Sequence, residues 1–124
     1  MHKIFKTKLF HRWMTKIDLD DKALCISVAE MHDGLIDANL GSNIYKKRVA
    51  IKGQGKRGGA RTIVASFLEE RWFFIYGFSK NAQSNISSKE KEALTKLGND
   101  LLEFKDNEIT VAIESGNLLE VSCE

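Results

Sequence analysis

The order of residue patterns along the chain predicts an α+β fold. Helical spacing comes first, a stretch of period two follows, and helical spacing returns after a capping box. Ile4 to Thr7 reads as a short strand, after which Leu9, Phe10, Trp13, Met14 and Ile17 recur at the spacing of a short amphipathic helix. Asp20 or Asp21 caps a second helix in which Leu24, Val28, Met31 and Leu35 form one apolar stripe, and Gly34 marks the region of its end. Asp37 to Asn43, with Gly41, Ser42 and two asparagines, reads as a loop.

From Ile44 the period changes to two. Tyr45, Val49 and Ile51 fall on one face of a strand and Lys46, Arg48 and Lys52 on the other, with Lys47 interrupting the apolar side. Gly53 to Gly59 reads as a flexible connection, Arg61 to Leu68 as a strand, Glu69–Glu70 as a tight turn and Arg71 to Phe78 as another strand, giving an antiparallel meander. Ser87 followed by Glu90 is a capping-box pattern, and Leu94, Leu97, Leu101 and Phe104 define the third helix. In the tail, Asn107 caps a short helix carrying Ile109, Ala112 and Ile113. Gly116 ends it, and Leu118 to Val121 turn extended; the β-branched content leaves a hairpin as the alternative. No repeat or linker divides the chain, so residues 1–124 are expected to form one domain.

The chain's 124 residues, 43% of them hydrophobic, suffice to bury a core without a disulfide or metal staple. Cys25 and Cys123 form neither a metal-ligand pair nor a dense framework, which points to a reducing cytoplasm. No apolar run approaches the ~20 residues of a membrane span, and the basic N-terminal stretch lacks the apolar core of a signal peptide. The charge is unevenly distributed: Ile44 to Lys80 carry nine basic residues against two acidic ones. A basic block rich in strand-forming residues suits a phosphate-rich partner, although by charge alone a solvated face is the simpler account.

Several residues in that block suit phosphate chemistry. Gly53 to Gly59 hold four glycines with Lys56 and Arg57 between them, so backbone amides and cations can approach a phosphate; a mobile hairpin loop would have the same composition. Arg61 opens the next strand with a planar guanidinium suited to phosphate oxygens. Tyr76 either presents its hydroxyl at the sheet surface or only buries its ring. His2, His11 and His32 make no metal motif and no nucleophilic triad, so no metal site is expected.

Three segments, YKKRVAIKGQGKRGGARTIVASF, RWFFIYGFSKN and ISSKEKEAL, together resemble the RelE/ParE superfamily, and more closely its HigB-like RelE toxins. IFKTKLFHRW before them and IESGNLLEV after them extend the similarity over nearly the whole chain. The resemblance implies a RelE-like fold: two N-terminal helices packed on a small antiparallel sheet, with a C-terminal helix and a short helix or strand tail. It also implies a type II toxin, an endoribonuclease that cuts mRNA at the ribosome and is silenced by a cognate antitoxin, expected to be a small helix-turn-helix protein. In such enzymes the ribose 2′-hydroxyl attacks the neighbouring phosphate and leaves a 2′,3′-cyclic phosphate, with no metal or cofactor. Lys46 and Arg48 match basic strand positions that bind the RNA backbone, and Lys47, Lys52, Lys56 and Arg57 are expected beside them. Arg61 matches the arginine that stabilises the phosphorane. Lys80 and Tyr76 complete the catalytic candidates, the tyrosine needing a lowered pKa that nearby cations could provide. The tail from Phe104 to Glu124 lacks the Tyr or His that many relatives place there. That departure keeps two alternatives open: a ParE-like toxin that binds a protein such as DNA gyrase, or an inactive module that binds antitoxin or nucleic acid.

Overall fold

The computed structural model describes residues 2–51 and 55–123, with the backbone alone for 55–58. It is α+β, with a six-stranded, mostly antiparallel sheet and helices on both faces. The elements are β1 (Lys3–Thr7), α1 (Lys8–Met14), α2 (Asp21–His32), β2 (Ala38–Gly41), β3 (Ile44–Ile51), β4 (Gly55–Ser66), β5 (Arg71–Ser79), α3 (Ser88–Leu102), α4 (Asp106–Glu114) and β6 (Leu118–Glu120). The strands lie in the order β2-β3-β4-β5-β1-β6.

Local chemistry explains most boundaries. Thr7 ends β1 and caps α1, its hydroxyl accepting from the Phe10 N–H at 3.2 Å. Asp20 caps α2 through the Ala23 N–H at 3.0 Å, and Gly116 takes a positive φ after α4. The predicted meander is present as β3-β4-β5. Several features depart from the sequence reading, among them the cap of α4, which is Lys105 and not Asn107. The loop expected at Asp37 to Asn43 contains β2, joined to β3 by a turn in which Ser42 and Asn43 both have positive φ, the geometry that lets a short hairpin follow the sheet's twist. Leu35 lies beyond the end of α2 and is 58% exposed, so the apolar stripe stops at Met31. β4 begins at Gly55, which pairs with Ile51, so the glycine-rich segment is largely strand. β1 adds to β5 in parallel, placing an N-terminal strand inside the sheet, and β6 pairs on its far side.

The two sheet faces carry separate cores. Ile4, Val49, Val64, Trp72 and Phe74 pack against α1 and α2, whereas Phe5, Ile63, Phe73, Ile75 and Phe78 pack against α3 and α4. The helices are therefore divided between the faces, because alternate side chains of the central strands are apolar in both directions. Cys25 on α2 and Cys123 form a disulfide, against the expectation of a reducing compartment that the sequence reading drew from these two cysteines. The chain after β6 stays beside β1, with the Val121 N–H bonded to the Ile4 carbonyl at 2.8 Å, and this return brings together two cysteines that are 98 residues apart.

Helix α1 lies so close to β5 that a Cβ at Gly77 would sit 2.2 Å from the Trp13 ring. Gly77→Ala is expected to lower stability by about 1–3 kcal/mol through overpacking. Chemical denaturation measures this directly; an unchanged midpoint would mean that Trp13 moves aside freely.

Candidate nucleic-acid interface

The ladder registers place the predicted cations. Lys46 pairs with Ile63 and Ile63 with Tyr76, while Arg48 pairs with Arg61 and Arg61 with Phe78. Directly paired residues point to the same side of a sheet, so both rows share the face that carries α3. Lys46, Arg48, Arg61 and Tyr76 thus surround Ile63, and diagonal neighbours in such rows lie about 7–8 Å apart.

Arg48 and Arg61 stand directly opposite each other, an arrangement that is unfavourable for like charges unless an anion compensates. Asp37 compensates Arg48: its carboxylate accepts from the Arg48 backbone N–H at 2.7 Å and lies 3.6 Å from the guanidinium. The Arg61 guanidinium donates to the Gly59 carbonyl at 3.3 Å, and among the described residues it has no acidic partner. It is partly exposed, next to a second guanidinium, and this is an electrostatic setting that favours a bound anion.

Lys47 belongs elsewhere. Its odd position turns it to the opposite face, where it is only 3% exposed; its ammonium donates to the Leu35 carbonyl at 2.9 Å and lies 3.0 Å from the Glu30 carboxylate. The expectation that Lys47 contacts RNA is therefore corrected: this lysine secures the end of α2. Lys80 is exposed in the turn just after β5, at the sheet end where Ala60 pairs with Ser79. Lys52 lies outside the described residues, as do the side chains of Lys56 and Arg57.

Tyr76 presents its hydroxyl as well as burying part of its ring. The phenol is 2.9 Å from Glu90 Oε2 and 3.0 Å from Gln83 Oε1. Burial, then the bond to Glu90 and its charge, raise the Tyr76 pKa above the ordinary value of 10.0, while Gln83 opposes the rise. The expected lowering by neighbouring cations does not occur, because the carboxylate lies within hydrogen-bonding distance. Glu90 itself is held below the ordinary carboxyl range, first by the Ser87 backbone N–H and then by the Tyr76 hydroxyl. A cavity of about 440 Å³ opens beside this phenol, lined among others by Leu9, Trp13, Gln83, Leu94 and Leu97.

Asp37, Gln83 and Glu90 are site residues that the sequence reading missed. Glu90 carried a signal, but as the acidic member of a capping box. β6 is three strands from β4, about 14 Å at the usual strand spacing, so that strand is remote from Arg61. No described helix is long and apolar enough to cross a membrane.

A family model described as the RelE toxin of the RelE/RelB toxin-antitoxin system matches residues 2–121. With that match over nearly its whole length, the chain belongs to the RelE toxin family, whose members are toxins paired with an antitoxin.

Proposed function

We propose that this toxin is a metal-independent endoribonuclease that cleaves mRNA on the ribosome. The observation that carries this reading is the pairing of Arg48 with Arg61 on the sheet face that also holds Lys46 and Tyr76. Lys46 and Arg48 hold the RNA backbone together with Lys80, and Lys52, Lys56 and Arg57 add positive charge to the same stretch of the chain. The 2′-hydroxyl of one nucleotide loses its proton and attacks the adjacent phosphorus, the bond to the 5′-oxygen breaks, that oxygen takes up a proton, and the products carry a 2′,3′-cyclic phosphate and a 5′-hydroxyl. The phosphorane gains negative charge during the attack, and Arg61 stabilises it from a fixed position. The nucleophile belongs to the substrate, so positioning and charge stabilisation account for most of the task.

Purified toxin should be incubated with a defined mRNA, free and on programmed ribosomes, with and without a chelator, and the new ends mapped. Cleavage on ribosomes that persists with chelator and leaves 2′,3′-cyclic phosphate ends is expected. Growth arrest with intact transcripts and inhibited DNA gyrase would replace this reading with the ParE-like one. The remoteness of β6 from Arg61 bears on that choice, since a residue of that strand would be poorly placed for acid-base work at this face even if one were present.

A further inference from the structure

Glu90 uses its two carboxylate oxygens for different purposes. Oε1 accepts from the Ser87 backbone N–H at 2.7 Å while the Ser87 hydroxyl accepts from the Glu90 N–H at 3.1 Å, which closes the capping box of α3. Oε2 faces the Tyr76 phenol at 2.9 Å. Gln83 braces the pair, its Nε2 donating to Glu90 Oε1 at 3.3 Å and to the Asn85 carbonyl at 2.9 Å. Helix capping requires Oε1 and would be served equally by glutamine; it does not account for a carboxylate oxygen aimed at a tyrosine on the cationic face.

A phenol has one proton, and of its two acceptors the carboxylate is the stronger. We infer that Glu90 is a positioning residue for Tyr76: by taking the phenol's proton into a hydrogen bond, it fixes the ring and leaves a lone pair of Oη to accept from the ribose 2′-hydroxyl. The inference rests on the ribonuclease reading and assigns that site a contact to the nucleophile. Tyr76 acts as a neutral acceptor, its own proton held in the hydrogen bond to the Glu90 carboxylate. Around it, Lys46 and Arg61 share its sheet face, Lys80 follows in the turn after β5, Glu90 comes from α3, and α1 supplies the uncharged Leu9, Phe10 and Trp13. Orienting a nucleophilic hydroxyl contributes through alignment, and a misplacement of about 1 Å costs roughly 100-fold.

The test uses the full chain with ribosome-bound mRNA, and compares Glu90→Ala, Glu90→Gln, Ser87→Ala and Tyr76→Phe by kcat, KM and melting temperature. Glu90→Ala is expected to lower kcat about 10- to 100-fold at unchanged KM. Glu90→Gln keeps the cap through its single carbonyl oxygen but turns an amide N–H toward the phenol, so it is expected to lose kcat as Glu90→Ala does while keeping the melting temperature. Ser87→Ala removes a cap and lowers the melting temperature, yet keeps kcat. Tyr76→Phe falls as far as Glu90→Ala, and the double variant falls no further, as expected for groups acting as one unit. Tyrosinate absorbance gives a readout independent of cleavage: Tyr76 should ionise at lower pH in Glu90→Gln, the band being assigned by its loss in Tyr76→Phe. Normal kcat in Glu90→Ala, equal kcat losses in Glu90→Ala and Ser87→Ala, or an unmoved tyrosinate titration would each overturn the inference. If the wild-type chain cleaves in an Arg61-dependent way and Glu90→Ala is unaffected, the inference alone fails; absence of wild-type cleavage removes both it and the ribonuclease reading.

Discussion

Replacing Arg61 with alanine is expected to slow mRNA cleavage about 10²- to 10³-fold, the usual cost of removing one fixed group that stabilises transition-state charge. The guanidinium stands opposite Arg48 and diagonal to Tyr76, and its described hydrogen bond is to the nearby Gly59 carbonyl. Little folding energy is invested in it, so the melting temperature should stay near that of the wild type. Arg61→Lys should recover only part of the rate, since an ammonium lacks the planar fork that meets two phosphate oxygens at once. End mapping combined with growth curves provides the measurement. Full toxicity with undiminished cleavage would remove Arg61 from the mechanism, and unchanged toxicity without any cleavage would favour a protein-binding toxin.

The second large effect is on stability. Lys47→Ala is expected to cost about 3–5 kcal/mol, the range for breaking a buried ion pair from one side. The Lys47 ammonium sits beneath the end of α2, against the Leu35 carbonyl and the Glu30 carboxylate. Its loss removes the ammonium that faces a buried oxygen of the Glu30 carboxylate. Lys6 plays the matching part at the start of α2, its ammonium 2.6 Å from Asp21, so two lysines from different strands secure opposite ends of one helix. Urea denaturation measures the loss, and RNA affinity per folded molecule should not change, because Lys47 faces away from Lys46, Arg48 and Arg61. A weakly destabilised variant with reduced RNA binding would reverse this assignment.

Lys47 also shows where reading along the chain stops. Alternation from Tyr45 to Ile51 already puts this lysine on the apolar side of its strand, but it does not reveal an acid waiting there. The acid is Glu30, seventeen positions earlier on α2, and only packing of that helix across β3 brings the two together. Tyr76 presents a similar case. The alternation of β5 places it with Phe78 on one side, whereas the acceptor that raises its pKa comes from the first turn of α3. The β2 hairpin escaped because its turn residues, Ser42 and Asn43, include no glycine to advertise positive φ. The parallel addition of β1 to β5 escaped because residues that pair there are far apart in sequence.

By itself the sequence determined the first three helices, the β3-β4-β5 meander, the capping box and the common face of Lys46 and Arg48, together with the motifs of a RelE-type toxin. These follow from side-chain period and short-range hydrogen bonds, which neighbouring residues decide among themselves. Tertiary structure alone decided that Arg61 faces Arg48, that Lys47 is withdrawn from that surface, that Glu90 reaches Tyr76, and that Cys25 meets Cys123. Those contacts depend on strand register and helix docking, and their energy is gained only once distant parts of the chain have closed into one sheet.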